Sequence, residues 1–142
     1  MEPARRFLEY AAAFEKAYED DDWSQLEPYF TEDAVYSVTG EPPLGGEWVG
    51  RDAVLRQFND VVNELDRRFE NRLTEIVGAP KIGEGTIEFE WRGTYSTAGE
   101  ADLVFGGTEH ATFSGDRIAR LVDTMEEGAD QRIQAWLAEN PA

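Results

Sequence analysis

The sequence predicts an α+β fold in which helices cover a curved antiparallel sheet and enclose a mostly apolar pocket. In the first half of the 142-residue chain, apolar residues recur at helical spacing, and from about residue 71 they alternate with polar residues as in β-strands. Hydrophobic residues make up 41% of the chain, which is enough for one core and a lined pocket. We therefore expect a single domain over residues 1–142.

Two helices and a strand are predicted before residue 40. The segment 4–20 is amphipathic, and its apolar face consists of Phe7, Ala11, Phe14 and Tyr18. A short second helix is expected from Trp23, followed by a strand over residues 35–39. The segment 40–46 is rich in proline and glycine, which predicts a loop.

A long helix and four strands are predicted in the rest of the chain. The helical stripe between Arg51 and Phe69 predicts a helix that begins just after Gly50. Strands are then expected at about 71–78, 86–96, 102–113 and 117–126. A terminal helix is predicted from a short apolar stripe that consists of Ile133, Trp136 and Leu137.

Composition excludes several classes of function. The net charge of −17 repels phosphate backbones and anionic lipids, so we expect neither a nucleic-acid nor a membrane partner. The chain has no cysteine and one histidine, so we do not expect a metal site. It also lacks the glycine-rich motifs that bind phosphate groups or dinucleotides, so no cofactor is expected. No apolar run is long enough for a signal peptide or a membrane span, so a cytoplasmic location is expected.

The last predicted strand places an aspartate among apolar residues. Asp123 alternates onto the same face as Ala119, Leu121 and Met125. Desolvation of a carboxylate raises its pKa, which suits it to general acid or base work near neutral pH. We therefore predict that Asp123 is catalytic; an aspartate that is solvated or paired with arginine is the alternative.

His110 is the second catalytic candidate, and its position depends on the register of the last hairpin. If Gly115 and Asp116 form a two-residue turn, His110 and Asp123 lie diagonally on one face and can meet. If a three-residue turn shifts the register by one residue, Glu109 lies beside Asp123 instead and forms a carboxylate pair. A structural hydrogen-bonding role for the lone histidine is the alternative.

Several aromatic residues are expected to line the pocket, because the helices and the inward strand positions converge there. These residues are Tyr18, Tyr36, Trp48, Phe58, Trp91 and Tyr95. Buried tyrosine hydroxyls and indole N–H groups need hydrogen-bond partners, so the set favours a cavity with polar anchors over a dry core. Such a cavity suits a small hydrophobic or aromatic ligand.

Five short motifs follow one another in a characteristic order. They are DWSQL at 22–26, YFTEDAVY at 29–36, GRDAV at 50–54, EWRGTY at 90–95 and DRI at 116–118. Their order and spacing resemble the SnoaL-like proteins of the nuclear-transport-factor-2-like superfamily. The resemblance implies a cone-shaped SnoaL-like α+β barrel, in which a curved antiparallel sheet wraps around a long helix and two N-terminal helices, commonly as a homodimer packed through the sheet.

The resemblance also implies a class of chemistry. SnoaL-type cyclases are similar in having an aspartate acid/base on the final strand and a histidine on its neighbour, the positions of Asp123 and His110. We expect a cofactor-independent cyclase, isomerase or lyase that transfers a proton on a carbonyl-containing or polycyclic substrate. Val38 and Phe14 stand where ketosteroid isomerase carries its aspartate base and a tyrosine, which disfavours steroid isomerisation.

Two other functions remain open from the sequence. A non-catalytic ligand-binding or dimerisation module would keep the pocket without the chemistry. An epoxide hydrolase of this fold would need an Asp-Arg-Asp set, in which Glu90 and Arg92 supply the partners of Asp123.

Overall fold

The computed structural model describes residues 2–141 of the chain. Its helices are α1 (Pro3–Asp20), α2 (Arg51–Glu64) and α3 (Ala129–Glu139). Its strands are β1 (Phe30–Val38), β2 (Gly46–Val49), β3 (Asn71–Gly83), β4 (Thr86–Ser96), β5 (Leu103–Ser114) and β6 (Arg117–Met125). Two 3-10 helices, Trp23–Tyr29 and Asp66–Arg68, follow α1 and α2. Within the described range no helix is long and apolar enough to cross a membrane.

The strands form one curved, open sheet in the order β2-β1-β6-β5-β4-β3. The predicted α+β fold is confirmed, and β3 to β6 form the expected antiparallel meander. The sheet is mixed, however, because β1 runs parallel to β6. Strand β2 was not predicted, since four residues are too few to show a period.

The bounds of three predicted elements differ from those in the structure by several residues. Strand β1 begins at Phe30, five residues before the predicted start at residue 35. Helix α2 ends at Glu64, because the backbone of Leu65 leaves the helical region and the chain continues as the 3-10 helix Asp66–Arg68. Strand β3 extends to Gly83, since a register shift after Val77 restores its pairing with β4.

Helices α1 and α2 pack on the inner face of the sheet, and α3 packs against β5 near one end. Buried residues form two clusters, which are centred on Phe30, Val54 and Leu121 and on Leu65, Phe105 and Ile133. Burying a side chain of this size contributes roughly 1.5–3 kcal/mol relative to leaving it exposed. The two clusters thus hold the helices on the sheet and leave a cavity between them.

The hairpin between β5 and β6 contains the feature that sets the site. Ser114 pairs with Arg117 across a two-residue turn, in which Gly115 has a φ of 63°. Beyond Ile118 the pairing shifts by one residue, so that Ala119 is an extra residue in β6. The turn is therefore the two-residue form, while the rest of the hairpin takes the register that a longer turn would have given.

Candidate functional site

A cavity of about 310 Å³ lies between helices α1 and α2 and the inner face of the sheet. Its walls come from α1, α2, the 3-10 helix after α2, and strands β1 and β3 to β6. Most of the lining side chains are apolar or aromatic, and the ionisable ones fall into two groups. Such a cavity suits a small, largely apolar molecule that is oriented by a few polar contacts.

The first group is a carboxyl pair with a tyrosine. In the shifted register Glu109 pairs directly with Asp123, and both side chains line the cavity. The Tyr36 hydroxyl on β1 donates a hydrogen bond of 3.1 Å to Asp123 Oδ2. Asp123 is 7% exposed, and its Oδ1 is buried without an N–H or hydroxyl donor among the described residues. The carboxyl groups of Glu109 and Asp123 are close enough for a side-chain hydrogen bond, so a protonated Glu109 can donate to the Asp123 carboxylate.

The electrostatics of this pair favour one shared proton. Burial raises the pKa of Asp123 to about 6, although the hydrogen bonds from Glu109 and Tyr36 oppose that rise. Burial and the Asp123 charge raise the pKa of Glu109 well above its ordinary value. Burial also raises the pKa of Tyr36, so its hydroxyl remains a donor. The two carboxyl groups therefore titrate as a coupled pair that shares one proton, and burial together with the Asp123 charge favours that proton on Glu109.

The second group is centred on an arginine. Arg72 Nε lies 2.9 Å from Asp66 Oδ2, and Arg72 Nη1 lies 3.0 Å from both carboxylate oxygens of Glu15. The Tyr95 hydroxyl donates a hydrogen bond of 3.2 Å to Asp66 Oδ2. Burial raises the pKa of Asp66 to about 6, and the positive charge of Arg72 opposes the rise. Helix α1, the segment after α2 and strands β3 and β4 thus meet at one arginine.

The structure places four of the six predicted aromatic residues on the cavity wall: Tyr36, Phe58, Trp91 and Tyr95. Tyr18 does not line the cavity, because its ring lies against the guanidinium groups of Arg67 and Arg72, 4.5 and 4.8 Å from its centroid. Trp48 lies on edge strand β2 and stacks behind Tyr36 at 5.5 Å between ring centroids. These two residues support the wall and do not form it.

The predicted meeting of His110 and Asp123 is wrong. His110 pairs with Val122 on β6 and with Glu88 on β4, so its side chain lies on the outer face of the sheet. The bulge at Ala119 is the cause, since a one-residue shift exchanges His110 for Glu109 on the inner face.

Glu90 and Arg92 also lie on the outer face, where both are exposed. The Asp-Arg-Asp set considered for an epoxide hydrolase is therefore not assembled around Asp123. Among the residues that the structure describes, no three His, Cys, Asp or Glu side chains are placed to hold a metal ion.

Two site residues, Asp66 and Arg72, were missed as inward-facing groups, and a third, Glu109, was predicted only in one of two registers. Each of the three carries a sequence signal. Glu109 has the same parity along β5 as the buried residues Leu103, Phe105 and Ala111, which places it on the inner face. Asp66 follows Val62 by four residues and so continues the apolar stripe of α2. Arg72 pairs with Tyr95, whose inward direction was predicted, so its own inward direction follows from that register.

Comparison with known proteins gives the family. A profile of the SnoaL-like domain matches residues 10–121. The chain belongs to the SnoaL-like family. No curated protein matches this SnoaL-like sequence.

Solved structures show the same fold at low sequence identity. Bal32a from a soil-derived mobile gene cassette is 18% identical with a TM-score of 0.67, over 94% of this chain and 95% of that one. TerC co-crystallised with polyporic acid is 12% identical with a TM-score of 0.66, over 89% and 95%. An NTF2-like protein of unknown function from Burkholderia pseudomallei is 13% identical with a TM-score of 0.67, over 96% and 98%. These structural similarities show the fold of the SnoaL-like chain, but they do not show which reaction it catalyses.

Proposed function

We propose that this SnoaL-like protein is a cofactor-independent enzyme that transfers a proton on a carbonyl-containing aromatic or polycyclic substrate. The observation that carries the proposal is the carboxyl pair Glu109–Asp123, which lines a largely apolar cavity and has the Tyr36 hydroxyl on Asp123 Oδ2. Paired carboxyl groups whose pKa values are raised are typical of acid and base sites.

The pair can act at both ends of an enolisation. The Asp123 carboxylate removes a proton from the carbon next to the carbonyl group. The Glu109 carboxyl donates its proton to the carbonyl oxygen, where negative charge develops. Return of a proton to another carbon completes an isomerisation, and loss of a leaving group or attack on a second carbonyl gives a lyase or a cyclase.

The aromatic wall supports the class of ligand. Tyr36, Phe58 and Trp91 line the cavity, and aromatic side chains favour stacked or edge-to-face contacts with the rings of a planar ligand. The Trp91 indole N–H is buried without an acceptor among the described residues. A small hydrophobic or aromatic ligand with a hydrogen-bond acceptor fits this lining. TerC, which shares the fold, was crystallised with polyporic acid.

A carboxyl-detected NMR titration is the first test. We expect two carboxyls of the wild-type protein to titrate near pH 6, those of Asp66 and Asp123, and only the Asp123 signal to disappear in Asp123→Asn. The Glu109 signal is expected to titrate well above the ordinary range of a glutamate. Glu90→Gln is the matched control, because it removes an exposed carboxylate from the outer face of β4. Ordinary pKa values for both Glu109 and Asp123 would contradict the proposal.

Deuterium exchange tests the chemistry. Aromatic cyclic ketones of increasing size, beginning with 2-tetralone, would be incubated in D₂O and the loss of the α-proton signal followed. We expect Asp123→Asn to lower the enzymatic rate by about 10²- to 10⁴-fold, the usual range for a general base. Saturable binding without exchange across the series would favour the alternative, a non-catalytic ligand-binding module.

We also propose that the protein is a homodimer that packs through the outer face of the sheet. Leu73 and Val77 support this, since they lie on that face and are 56% and 43% exposed. The absence of cysteine supports a cytoplasmic location. Light scattering of the wild type and of Leu73→Glu would test the assembly, and a monomeric wild type would contradict it.

A further inference from the structure

The arginine end of the cavity carries a second inference. We infer that Arg72 binds an anionic group of the ligand, a carboxylate or an ionised hydroxyl, and that this group replaces Glu15 on the guanidinium. The inference rests on the proposed function for the rest of the ligand, whose carbonyl group lies at Asp123. It narrows the substrate class to aromatic or polycyclic ketones that also carry an acidic group, either a carboxylate or an acidic hydroxyl.

Arg72 is the one cationic side chain among the cavity-lining residues that the structure describes. Its guanidinium lies 4.8 Å from the ring centroid of Tyr18 and 5.8 Å from that of Phe14, so aromatic faces surround it. A planar guanidinium binds a carboxylate through two parallel hydrogen bonds. An acidic group in the cavity therefore meets a recognition element of matching shape and charge.

The two partners of Arg72 differ in how firmly they are held. Asp66 is buried, with 7% of its side chain exposed, and it accepts a further hydrogen bond from Tyr95. Glu15 lies on α1 with 56% of its side chain exposed. Asp66 thus holds the arginine at Nε, and both oxygens of Glu15 contact Nη1.

Replacing Glu15 by a ligand anion costs the protein little free energy. Ion pairs with an exposed partner contribute about 0–1 kcal/mol, because water solvates the released carboxylate. A bound ligand restores both contacts that Glu15 makes with Arg72 Nη1. Because the aromatic wall already holds the ring of the ligand, fewer rotatable bonds become fixed than when the Glu15 side chain binds, and the entropy cost is smaller. Glu15 therefore acts as a placeholder and competes with the ligand.

A matched pair of probes tests the inference. We would measure quenching of tryptophan fluorescence by 9-fluorenone-2-carboxylate and by its neutral carboxamide, since Trp91 lines the cavity. Wild type is expected to bind the acid about tenfold tighter or more, the effect of one charge-assisted contact. Glu15→Gln is expected to bind the acid about threefold tighter than wild type and the amide equally, because the competing carboxylate is lost.

Two arginine variants locate the effect. Arg72→Lys keeps the charge and removes the planar fork, so the preference for the acid is expected to fall several-fold while the fold is retained. Arg67→Gln is the matched control, because Arg67 lies against the same Tyr18 ring but outside the cavity. Its preference for the acid is expected to stay within about twofold of wild type.

The outcomes separate this inference from the proposed chemistry. Asp123→Asn is expected to lose deuterium exchange and to keep the preference for the acid. The proposed proton transfer and the proposed binding of an anion by Arg72 can therefore be refuted independently. Equal or tighter binding of the amide by wild type, weaker binding of the acid by Glu15→Gln, or an equal loss in Arg67→Gln would each overturn the inference. Binding of neither probe would overturn it as well.

Discussion

The two ends of the cavity repeat one arrangement with a different third partner. At each end a tyrosine hydroxyl donates to a buried aspartate, Tyr36 to Asp123 at 3.1 Å and Tyr95 to Asp66 at 3.2 Å. Burial raises the pKa of each aspartate to about 6. The third partner is a carboxyl group, Glu109, at one end and a guanidinium, that of Arg72, at the other.

This difference decides what each aspartate can do. A carboxyl partner can hold or release a proton, so Glu109 and Asp123 form a site for proton transfer. Arg72 keeps its charge at every relevant pH, so its aspartate is an anchor and not a base. The Tyr36–Asp123 pair thus belongs to a site for proton transfer, whereas the similar Tyr95–Asp66 pair holds Arg72 in position.

The largest expected effect comes from removing the arginine. Arg72→Met leaves Asp66 buried beside a neutral side chain, and breaking such a pair from one side costs about 3–5 kcal/mol. We expect this loss in the free energy of unfolding at pH 7, measured by urea denaturation. The pKa of Asp66 should rise further, since the charge that lowers it is gone.

Glu109→Gln is the corresponding change at the other end. It removes a carboxyl that repels its neighbour and retains a neutral donor to Asp123, so we expect a change within about 1 kcal/mol in either direction. If Glu109→Gln lowered the free energy of unfolding as much as Arg72→Met does, Glu109 and Arg72 would have equivalent roles beside their aspartates. That result would contradict the proposed difference between the two ends of the cavity.

The next effect is a pH dependence at the carboxyl end. The folded-state pKa of Asp123 is about 6 against 3.8 for the model group, so the unfolded chain binds fewer protons between these values. The contribution of Asp123 to stability is therefore complete below pH 3.8 and is lost as the pH rises through about 6. A shift of this size corresponds to about 3 kcal/mol.

Urea denaturation from pH 4 to pH 8 measures this loss. Asp123→Asn is expected to flatten the curve, because it removes the titrating group and one cause of the raised pKa of Glu109. Asp66 contributes equally to both proteins and cancels in the comparison. Parallel curves for wild type and Asp123→Asn would exclude the raised pKa of Asp123.

The two tyrosines give a smaller, paired prediction. Tyr36→Phe removes a donor from Asp123 and is expected to cost about 1.5–3 kcal/mol at pH 7, as for hydrogen bonds to charged groups. Tyr95→Phe is expected to cost less, because Arg72 still compensates Asp66. Denaturation of both variants at pH 7 decides the order, and the reverse order would show that Arg72 does not stabilise the Asp66 carboxylate.

Local sequence patterns could predict most of the fold but not all of its pairing. The period of β4 placed Trp91 and Tyr95 on the inner face, and the stripe of α2 placed Phe58 there. The parallel pairing of β1 with β6 leaves no local trace, because alternation along a strand reports burial and not the direction of its neighbour.

The candidate site was predictable at Asp123 and not at its partner. Asp123 stands in an apolar alternation that its own strand displays. Its neighbour depends on one extra residue, Ala119, in a strand whose sequence has no glycine or proline to mark a bulge. Arg72 lies on a strand that is exposed along nearly its whole length, so its burial depends on the helix that packs beside it and not on its own segment.

The smallest expected effect tests that register directly. His110→Gln removes the only imidazole from a half-buried position on the outer face, between Glu88 and Val122. We expect a change in stability within about 0.5 kcal/mol and an unchanged carboxyl titration of Asp123. If His110→Gln shifts that titration as far as Tyr36→Phe does, the histidine faces the cavity in solution. The bulge at Ala119 would then be absent, and the carboxyl pair at Glu109 would be absent with it.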